Sequence, residues 1–285
     1  MIGWWRPPRF VGHNLRGVFL QSEASVMSMI NVTLPDGTIN EYAEGITCAE
    51  VITDALGRKH GCLAATVDGV EKDMSTKLTS SCSVVGILST SEEGIHILRH
   101  SAAHLLAQAV TELYPGALPT IGPAIERGFY YDFKMDPITE ADLKAIQKKM
   151  QFLAKQNAVV ERIELNEEDL KSHFEHNPYK MEIINDKLED GAGSTIYKQG
   201  EWYDLCLGPH VPNLSRLMFV KLTSVSSAYW RGDQEREQLV RIYGLVEPTK
   251  DALQSTLKNM EEAKKRDHRK LGKDLQLFHI DEEVG

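Results

Sequence analysis

Residues 94–113 read GIHILRHSAAHLLAQAVTEL. Apolar side chains recur at helical spacing from Ile97 to Val110, and the run stops before Pro115, so it predicts one amphipathic helix. His100 and His104 share a face of that helix, because side chains at positions i and i+4 are neighbours. Two such imidazoles could hold a metal ion or a small substrate. They could equally form a packed pair with no ligand.

A second pair of ligand-type residues lies downstream. In DLCLGPH, Cys206 and His210 are four positions apart in a Gly-Pro loop. HxxxH and CxxxH together supply three imidazoles and one thiolate, a set suited to tetrahedral zinc. The alternative is that Cys206 is a small buried apolar residue and His210 a surface loop residue.

The sequence around this helix predicts an α+β fold in two units. In the first, residues 29–91, INVTLPDGTINEY indicates a hairpin turning at Pro35-Asp36-Gly37, and CAEVITDAL indicates a short helix. LAATVDG and SVVGILST indicate further strands. This order of elements favours a small β-grasp, ubiquitin-like domain.

The second unit, residues 92–248, is predicted to carry helices against a sheet. IGPAIERGFYYDFKM indicates a hairpin, and TEADLKAIQKKMQFLAKQN a helix with Thr139 as N-cap. NEEDLKSHFEH indicates a helix that ends near Pro178 and leads through YKMEIIND into loops, among them EWYDLCLGPHVPN. FVKLTSVSSAYWRG and QLVRIYGLV indicate adjacent strands of an antiparallel sheet.

Both ends of the chain are predicted to lie outside these units. Residues 1–28 contain three arginines and no acid before Glu23, as in a transit peptide, but the Pro7-Pro8 pair favours a disordered extension or initiation at Met27 or Met29. Residues 249–285 indicate a long linker helix. Its 264–270 run could meet RNA phosphates, yet its mixed charge favours a solvated face.

Composition excludes several classes of protein. The formal net charge of −9 argues against a generally basic nucleic-acid binder, although a local basic face remains compatible with it. The four cysteines form no CxxC pair, and neither a secretory signal nor a membrane-spanning run of about 20 apolar residues is present. We therefore expect a reduced, cytoplasmic protein that makes no membrane contact.

Seven motifs in one order carry a resemblance to a known family. They are TLPDGT, RHSAAHLL, IGPAIERGFYYD, YDLCLGPHVPN, AYWRGD, RIYG and EEAKKRDHRKLGKDLQLF. From Met29 onward the chain resembles the N-terminal half of bacterial-type threonyl-tRNA synthetases, which are class II aminoacyl-tRNA synthetases. The resemblance implies a TGS domain at 29–91, an editing domain shared with alanyl-tRNA synthetases at 92–248, and a helix at 249–285 leading to a catalytic core beyond Gly285.

The resemblance also implies a reaction. Serine lacks one methyl group of threonine, and a pocket discriminates one such group by only about 10–200-fold, so a second site removes the error. We expect hydrolysis of seryl-tRNA(Thr), with the acceptor end of tRNA(Thr) as partner. Ligation with ATP, a second zinc and dimerisation belong to the core, so a monomer without ligase activity is expected here. A non-catalytic tRNA-binding fragment and a free-standing trans-editing factor are the alternatives.

The editing pocket that the resemblance implies has seven residues. His100 and His104 would position water and the ribose, Asp204 would bind the substrate's amino group, and Lys180 would support the ester oxygens. Without the resemblance, Lys180 would be assigned to the surface and Asp204 to a loop cap. Cys206 and His210 complete the catalytic set, and Tyr131 would form a wall of the pocket or bind the terminal adenosine.

Two points remain open from the sequence. Alanyl-type relatives hold zinc on the equivalent of His100, His104, Cys206 and His210, whereas threonyl-type domains work without it, so zinc and a metal-free pocket are both compatible with the pattern. Arg231 in AYWRGD could contact the acceptor end of tRNA. It could also be a strand-end arginine packed over an aromatic ring.

Overall fold

The computed structural model describes residues 28–189 and 195–266. Within these residues the chain forms six α-helices and thirteen strands in three sheets, most of whose pairings are antiparallel. The predicted α+β class is therefore confirmed. The predictions for the N-terminal extension and for the linker helix beyond Arg266 lie outside the described residues. None of the described helices is both long enough and apolar enough to cross a membrane.

The first sheet along the chain is mixed and has five strands, in the order β2-β1-β5-β3-β4, with β1 and β5 parallel. Its helix α1 begins where the Thr47 side chain accepts from the amide of Glu50 and the Glu50 carboxylate accepts from that of Thr47, a capping box. The hairpin and helix predicted here are confirmed. The bounds are β1 Met29–Thr33, β2 Ile39–Ala43, α1 Cys48–Leu56, β3 Cys62–Val67, β4 Val70–Asp73 and β5 Cys82–Leu88.

Helix α2, Glu92–Leu113, is the predicted amphipathic helix and the central element of the fold. It starts at the Ser91 cap and passes so close to β5 that a Cβ on Gly94 would lie 1.8 Å from the carbonyl oxygen of Leu88. Every residue from Ser101 to Val110 is buried. One apolar cluster joins this helix to Leu63 and Ile87 of the first sheet and to the sheet that follows.

The second sheet has the order β12-β13-β8-β6, with β7 paired to β8. The two hairpin strands and the adjacent pair of strands predicted from the sequence are confirmed. Helix α3 starts at the predicted Thr139 cap and packs against α2. The bounds are β6 Leu118–Pro119, β7 Ala124–Ile125, β8 Gly128–Lys134, α3 Glu140–Gln156, β12 Val220–Tyr229 and β13 Gln238–Val246.

The third sheet has the order β11-β10-β9. In this part of the chain two predictions were wrong. YKMEIIND lies in a helix that starts at Pro178, because proline is well suited to a first helical position and Asn177 accepts hydrogen bonds from the next two free amides. WYDL, predicted as loop, is a strand. The bounds are β9 Val160–Glu164, α4 Glu167–Phe174, α5 Pro178–Glu189, β10 Thr195–Gln199, β11 Trp202–Leu205 and α6 Lys250–Lys265.

Candidate active site

Four elements bring the predicted pocket residues together. Helix α2 supplies His100 and His104, α5 supplies Lys180, and β8 supplies Tyr131. The end of β11 and the loop that follows it supply Asp204, Cys206 and His210. A cavity of about 400 Å³ opens between these elements, and six of the seven residues line it directly: His100, His104, Tyr131, Lys180, Asp204 and Cys206.

Asp204 is the centre of a buried polar network and is 1% exposed. Its Oδ1 lies 2.6 Å from the Nζ of Lys180 and accepts from the amide of Leu205, and its Oδ2 accepts from the Tyr131 hydroxyl at 2.6 Å. Lys180 Nζ also donates to the Tyr131 oxygen at 3.0 Å. Burial and the carboxylate of Asp204 hold the pKa of Tyr131 well above its usual value, so its hydroxyl remains a donor.

His104 approaches the same carboxylate without a formed hydrogen bond. Its Nδ1 lies 3.3 Å from Asp204 Oδ2, but in the described part of the chain this buried nitrogen has no partner with hydrogen-bond geometry. A buried imidazole nitrogen without a partner costs free energy. It is the position at which a bound polar group or metal would compensate that cost.

Cys206 lies between two histidines. Its Sγ is 2.9 Å from Nε2 of His100 and 3.2 Å from Nε2 of His210, and it accepts from the amide of Gly208 at 3.3 Å. The rings of His100 and His104 are both 4.5 Å from that of His210, centre to centre. The HxxxH and CxxxH pairs of the sequence therefore form one cluster.

Ser101 contacts both the backbone and the imidazole ring of the loop that carries His210. The Ser101 Oγ accepts from the amide of Val211 at 3.1 Å and lies 3.1 Å from Nδ1 of His210. Nε2, the other nitrogen of that ring, lies 3.2 Å from Sγ of Cys206, so Ser101 and Cys206 contact the imidazole at its two nitrogens.

Burial keeps all three imidazoles neutral. It lowers the pKa of His100 to about 4, opposed in part by the carboxylate of Asp204. It also lowers the pKa of His104 well below the ordinary value, with the other two histidines adding to the effect, and it lowers that of His210. Near pH 7 the cluster can accept protons and can act as metal ligand.

The structure adds wall residues that sequence reasoning missed. A Cβ on Gly122 would lie 2.1 Å from Cδ2 of Tyr131, so glycine lets the 120–123 loop cover that ring. Lys187 lies on the same side of α5 as Lys180 and Ile183, and all three line the cavity. Burial lowers the pKa of Lys187. Ile121 and Leu207 are exposed apolar residues at the cavity. A helical pattern in YKMEIINDK was the available signal for Lys187.

Arg231 is not among the residues that line this cavity. Its guanidinium forms ion pairs with Glu182 and Asp186, on the side of α5 away from Lys180, and lies 5.4 Å from the ring of Trp230. The packing of this arginine over an aromatic ring is therefore observed. Its contact with tRNA stays a prediction.

The four metal-ligand candidates form one group. His100, His104, Cys206 and His210 each offer a donor atom within 4.8 Å of the others. Three imidazole nitrogens and one sulfur suit zinc, and the partnerless nitrogen of His104 is consistent with an absent ligand. The residues therefore fit a zinc ion.

Comparison with known proteins finds sequences similar to this chain. Residues 194–243 match the family model described as the threonyl and alanyl tRNA synthetase second additional domain. The chain is 45% identical over 263 residues to a threonine-tRNA ligase of Pelobacter propionicus, covering 91% of this chain and 41% of that protein. Over that span the chain is similar in sequence to part of a threonine-tRNA ligase. A Desulfatibacillum aliphaticivorans ligase is 46% identical over 258 residues, covering 90% of this chain and 40% of the ligase.

The similarity to these ligases covers more of the chain than the residues that match the family model. The ligase of Streptococcus thermophilus strain LMD-9 is 43% identical over 262 residues, covering 90% of this chain and 40% of the ligase. The chain thus spans about two-fifths of the length of these curated relatives. Asp204, Cys206 and His210 lie inside the matched second additional domain, whereas the α2 histidines, Tyr131 and Lys180 precede its first residue.

Proposed function

We propose that this chain is the editing portion of a threonyl-tRNA synthetase and hydrolyses the ester of seryl-tRNA(Thr). The observation that carries the proposal is the buried ion pair of Lys180 and Asp204 beside three neutral imidazoles, at a cavity of about 400 Å³. A buried ion pair is costly to maintain, so its position beside an accessible cavity supports a chemical role.

The proposed reaction breaks the bond between the seryl carbonyl carbon and the ribose oxygen. Water adds to the carbonyl carbon, its proton passes to an imidazole of His100 or His104, and a proton is returned to the leaving ribose oxygen. Lys180 has three N–H donors, of which two are used by Asp204 and Tyr131. The third can stabilise the ester oxygen on which negative charge develops.

Asp204 is proposed to bind the amino group of the seryl moiety. Three hydrogen-bonding contacts, to Lys180, Leu205 and Tyr131, occupy most of the roughly four acceptor sites of the carboxylate. The remaining site faces His104, where a substrate ammonium would complete the network. Rejection of threonine would require the groups around this network to leave no room for its added methyl group, since a tightly packed pocket tolerates added volume poorly.

Zinc is a compatible second component. His100, His104, Cys206 and His210 would hold it, and the bound ion would act as a Lewis acid. Neutral imidazoles and an ionised thiol are the forms that such binding requires, and burial already provides the neutral imidazoles.

The remaining assignments follow from the same relationship. We assign residues 29–91 to a TGS domain of β-grasp type, which the mixed sheet and its single helix support. We assign residues 92–248 to the editing domain and residues 249–285 to a linker helix. The acceptor end of tRNA(Thr) is the proposed partner, in the cytoplasm. The proposed Arg231 contact would require it to exchange its pairing with Glu182 and Asp186 for phosphate.

The test is deacylation of tRNA(Thr) carrying serine or threonine. We expect the chain to accelerate loss of serine over buffer, to spare threonine, and to lose activity on substitution His104→Ala. His176→Ala is the matched control, because His176 is exposed and does not line the cavity. Seryl-tRNA that survives as long as in buffer would reject the catalytic proposal and favour a binding fragment. Equal loss of both substrates would reject size selection.

A further inference from the structure

Asp73, in the first sheet, contacts the active-site loop of the second unit. It is the last residue of β4 and is 8% exposed. Its Oδ1 accepts from the backbone amide of His210 at 2.9 Å, and its Oδ2 accepts from the hydroxyl of Tyr197 at 2.6 Å. Both donors are more than 120 residues away in the chain. One carboxylate thus holds two points of the other unit.

The amide of His210 has a particular need for this acceptor. It follows Pro209, which has no N–H, and Gly208, whose N–H donates to the sulfur of Cys206. His210 is 2% exposed, so without Asp73 its amide would be buried and unsatisfied unless the loop moved. The carboxylate therefore fixes the backbone directly beneath a catalytic-cluster imidazole.

Tyr197 extends the same contact to the ring and the loop. Its ring lies 4.3 Å from that of His210, centre to centre. A Cβ on Gly208 would lie 1.8 Å from the Tyr197 oxygen, so the loop passes directly over this hydroxyl. Burial and the carboxylate of Asp73 raise the pKa of Tyr197, which keeps the hydroxyl protonated as a donor.

Ser101 of α2 provides a second attachment of the loop, through the amide of Val211 and Nδ1 of His210. The loop is therefore attached both to α2 and to the first sheet. Between these two attachments, Cys206 and His210 meet His100 and His104.

We infer that Asp73 is a positioning residue of the editing site, through which the first unit sets the placement of His210 and Cys206. The inference rests on the proposed function for its kinetic consequence, but its structural consequence is independent of activity. A displaced loop would leave the cavity able to admit substrate while misplacing the groups that act on it. We therefore expect loss in kcat rather than in KM.

The experiment compares Asp73→Ala with Asp68→Ala in the full chain. Asp68 is the matched control because its carboxylate also accepts two hydrogen bonds, both from Ser83 of the same sheet, and touches no site residue. For Asp73→Ala we expect exchange of the His210 amide to accelerate by about tenfold or more. We expect kcat for seryl-tRNA(Thr) to fall by a similar factor, with KM within about twofold. Asp68→Ala should change neither.

Two further variants separate positioning from general stability. Asp73→Asn keeps an acceptor for the His210 amide and should restore most of kcat. Tyr197→Phe removes one of the two hydrogen bonds and should give an intermediate loss, which decides the matter if Asp73→Ala does not fold. Unchanged His210 exchange and kcat in folded Asp73→Ala would overturn the inference. If the parent chain does not deacylate seryl-tRNA, the proposed function fails, and amide exchange still decides the role of Asp73.

Discussion

The Nζ of Lys180 lies 2.6 Å from Oδ1 of Asp204, and the two side chains are 4% and 2% exposed. Such a pair is stable only while both partners remain, because either charge alone would be buried without compensation. Asp204→Ala should therefore lower the free energy of unfolding by about 3–5 kcal/mol. Urea unfolding followed by circular dichroism measures this change.

The control for that substitution is the exposed pair of Lys171 and Glu167 on α4, whose charged atoms lie 2.6 Å apart. Lys171→Ala should cost at most about 0.5 kcal/mol, because water screens an exposed helix pair. Similar losses in the two variants would show that burial of the Lys180 pair carries no special cost.

Stability should depend on pH through the buried histidines. Burial lowers the folded pKa of His100 from 6.5 to about 4, so the unfolded chain binds a proton more readily. The contribution of His100 is complete above pH 6.5 and is lost as pH falls towards 4. His100→Gln, measured with a chelator present, should remove about 3 kcal/mol of that dependence. Parallel pH profiles for the two proteins would contradict this assignment.

The packing of Gly122 against Tyr131 should be sensitive to a single methyl group. Gly122→Ala would place Cβ 2.1 Å from the Tyr131 ring and should destabilise the chain by about 1–3 kcal/mol while reducing deacylation. Gly116→Ala is the control, since its Cβ would meet nothing within 4 Å. Thermal unfolding and seryl-tRNA hydrolysis measure both effects. Equal behaviour of the two variants would show that the loop gives way freely.

Metal binding should depend on the sulfur of Cys206. Cobalt(II) added to the chain should give a thiolate-dependent absorption band that zinc displaces, because the cluster offers one sulfur and three imidazoles. The band should vanish in Cys206→Ser and persist in Cys62→Ser, whose cysteine is buried in the first sheet. A band of equal strength in both variants would place the metal elsewhere. Full deacylation in metal-free protein would exclude a requirement for zinc.

Local signals predicted most of the fold and the grouping of the four metal-ligand candidates. The predicted Thr139 cap marks the start of α3, and the predicted helix CAEVITDAL matches the bounds of α1. The spacing of HxxxH and CxxxH identified the cluster because both pairs are local patterns. Lys180 and Asp204 carry no such pattern, and only the family resemblance selected them. The helix at Pro178 was missed because proline was taken as an end of the preceding helix rather than a start.

Long-range contacts account for what the sequence did not reveal. Asp73 reads as an ordinary acid at a strand end, and its role depends on partners more than 120 residues away. Ser101 resembles a small spacer between two histidines, yet its hydroxyl contacts both the amide of Val211 and the ring of His210. Neither effect leaves a period or a spacing that a single sequence could display.

One apolar cluster contains side chains of the first sheet, of α2 and of the second sheet. Leu63 and Ile87 therefore pack in the same apolar cluster as α2, the helix that carries His100 and His104 on successive turns. Deleting the first sheet would expose α2 to water, and exchanging it for the equivalent of another protein would require a matching apolar surface. A substitution at the shared surface must therefore be tolerated by both units, so we expect the two units to evolve together as well as to stabilise each other.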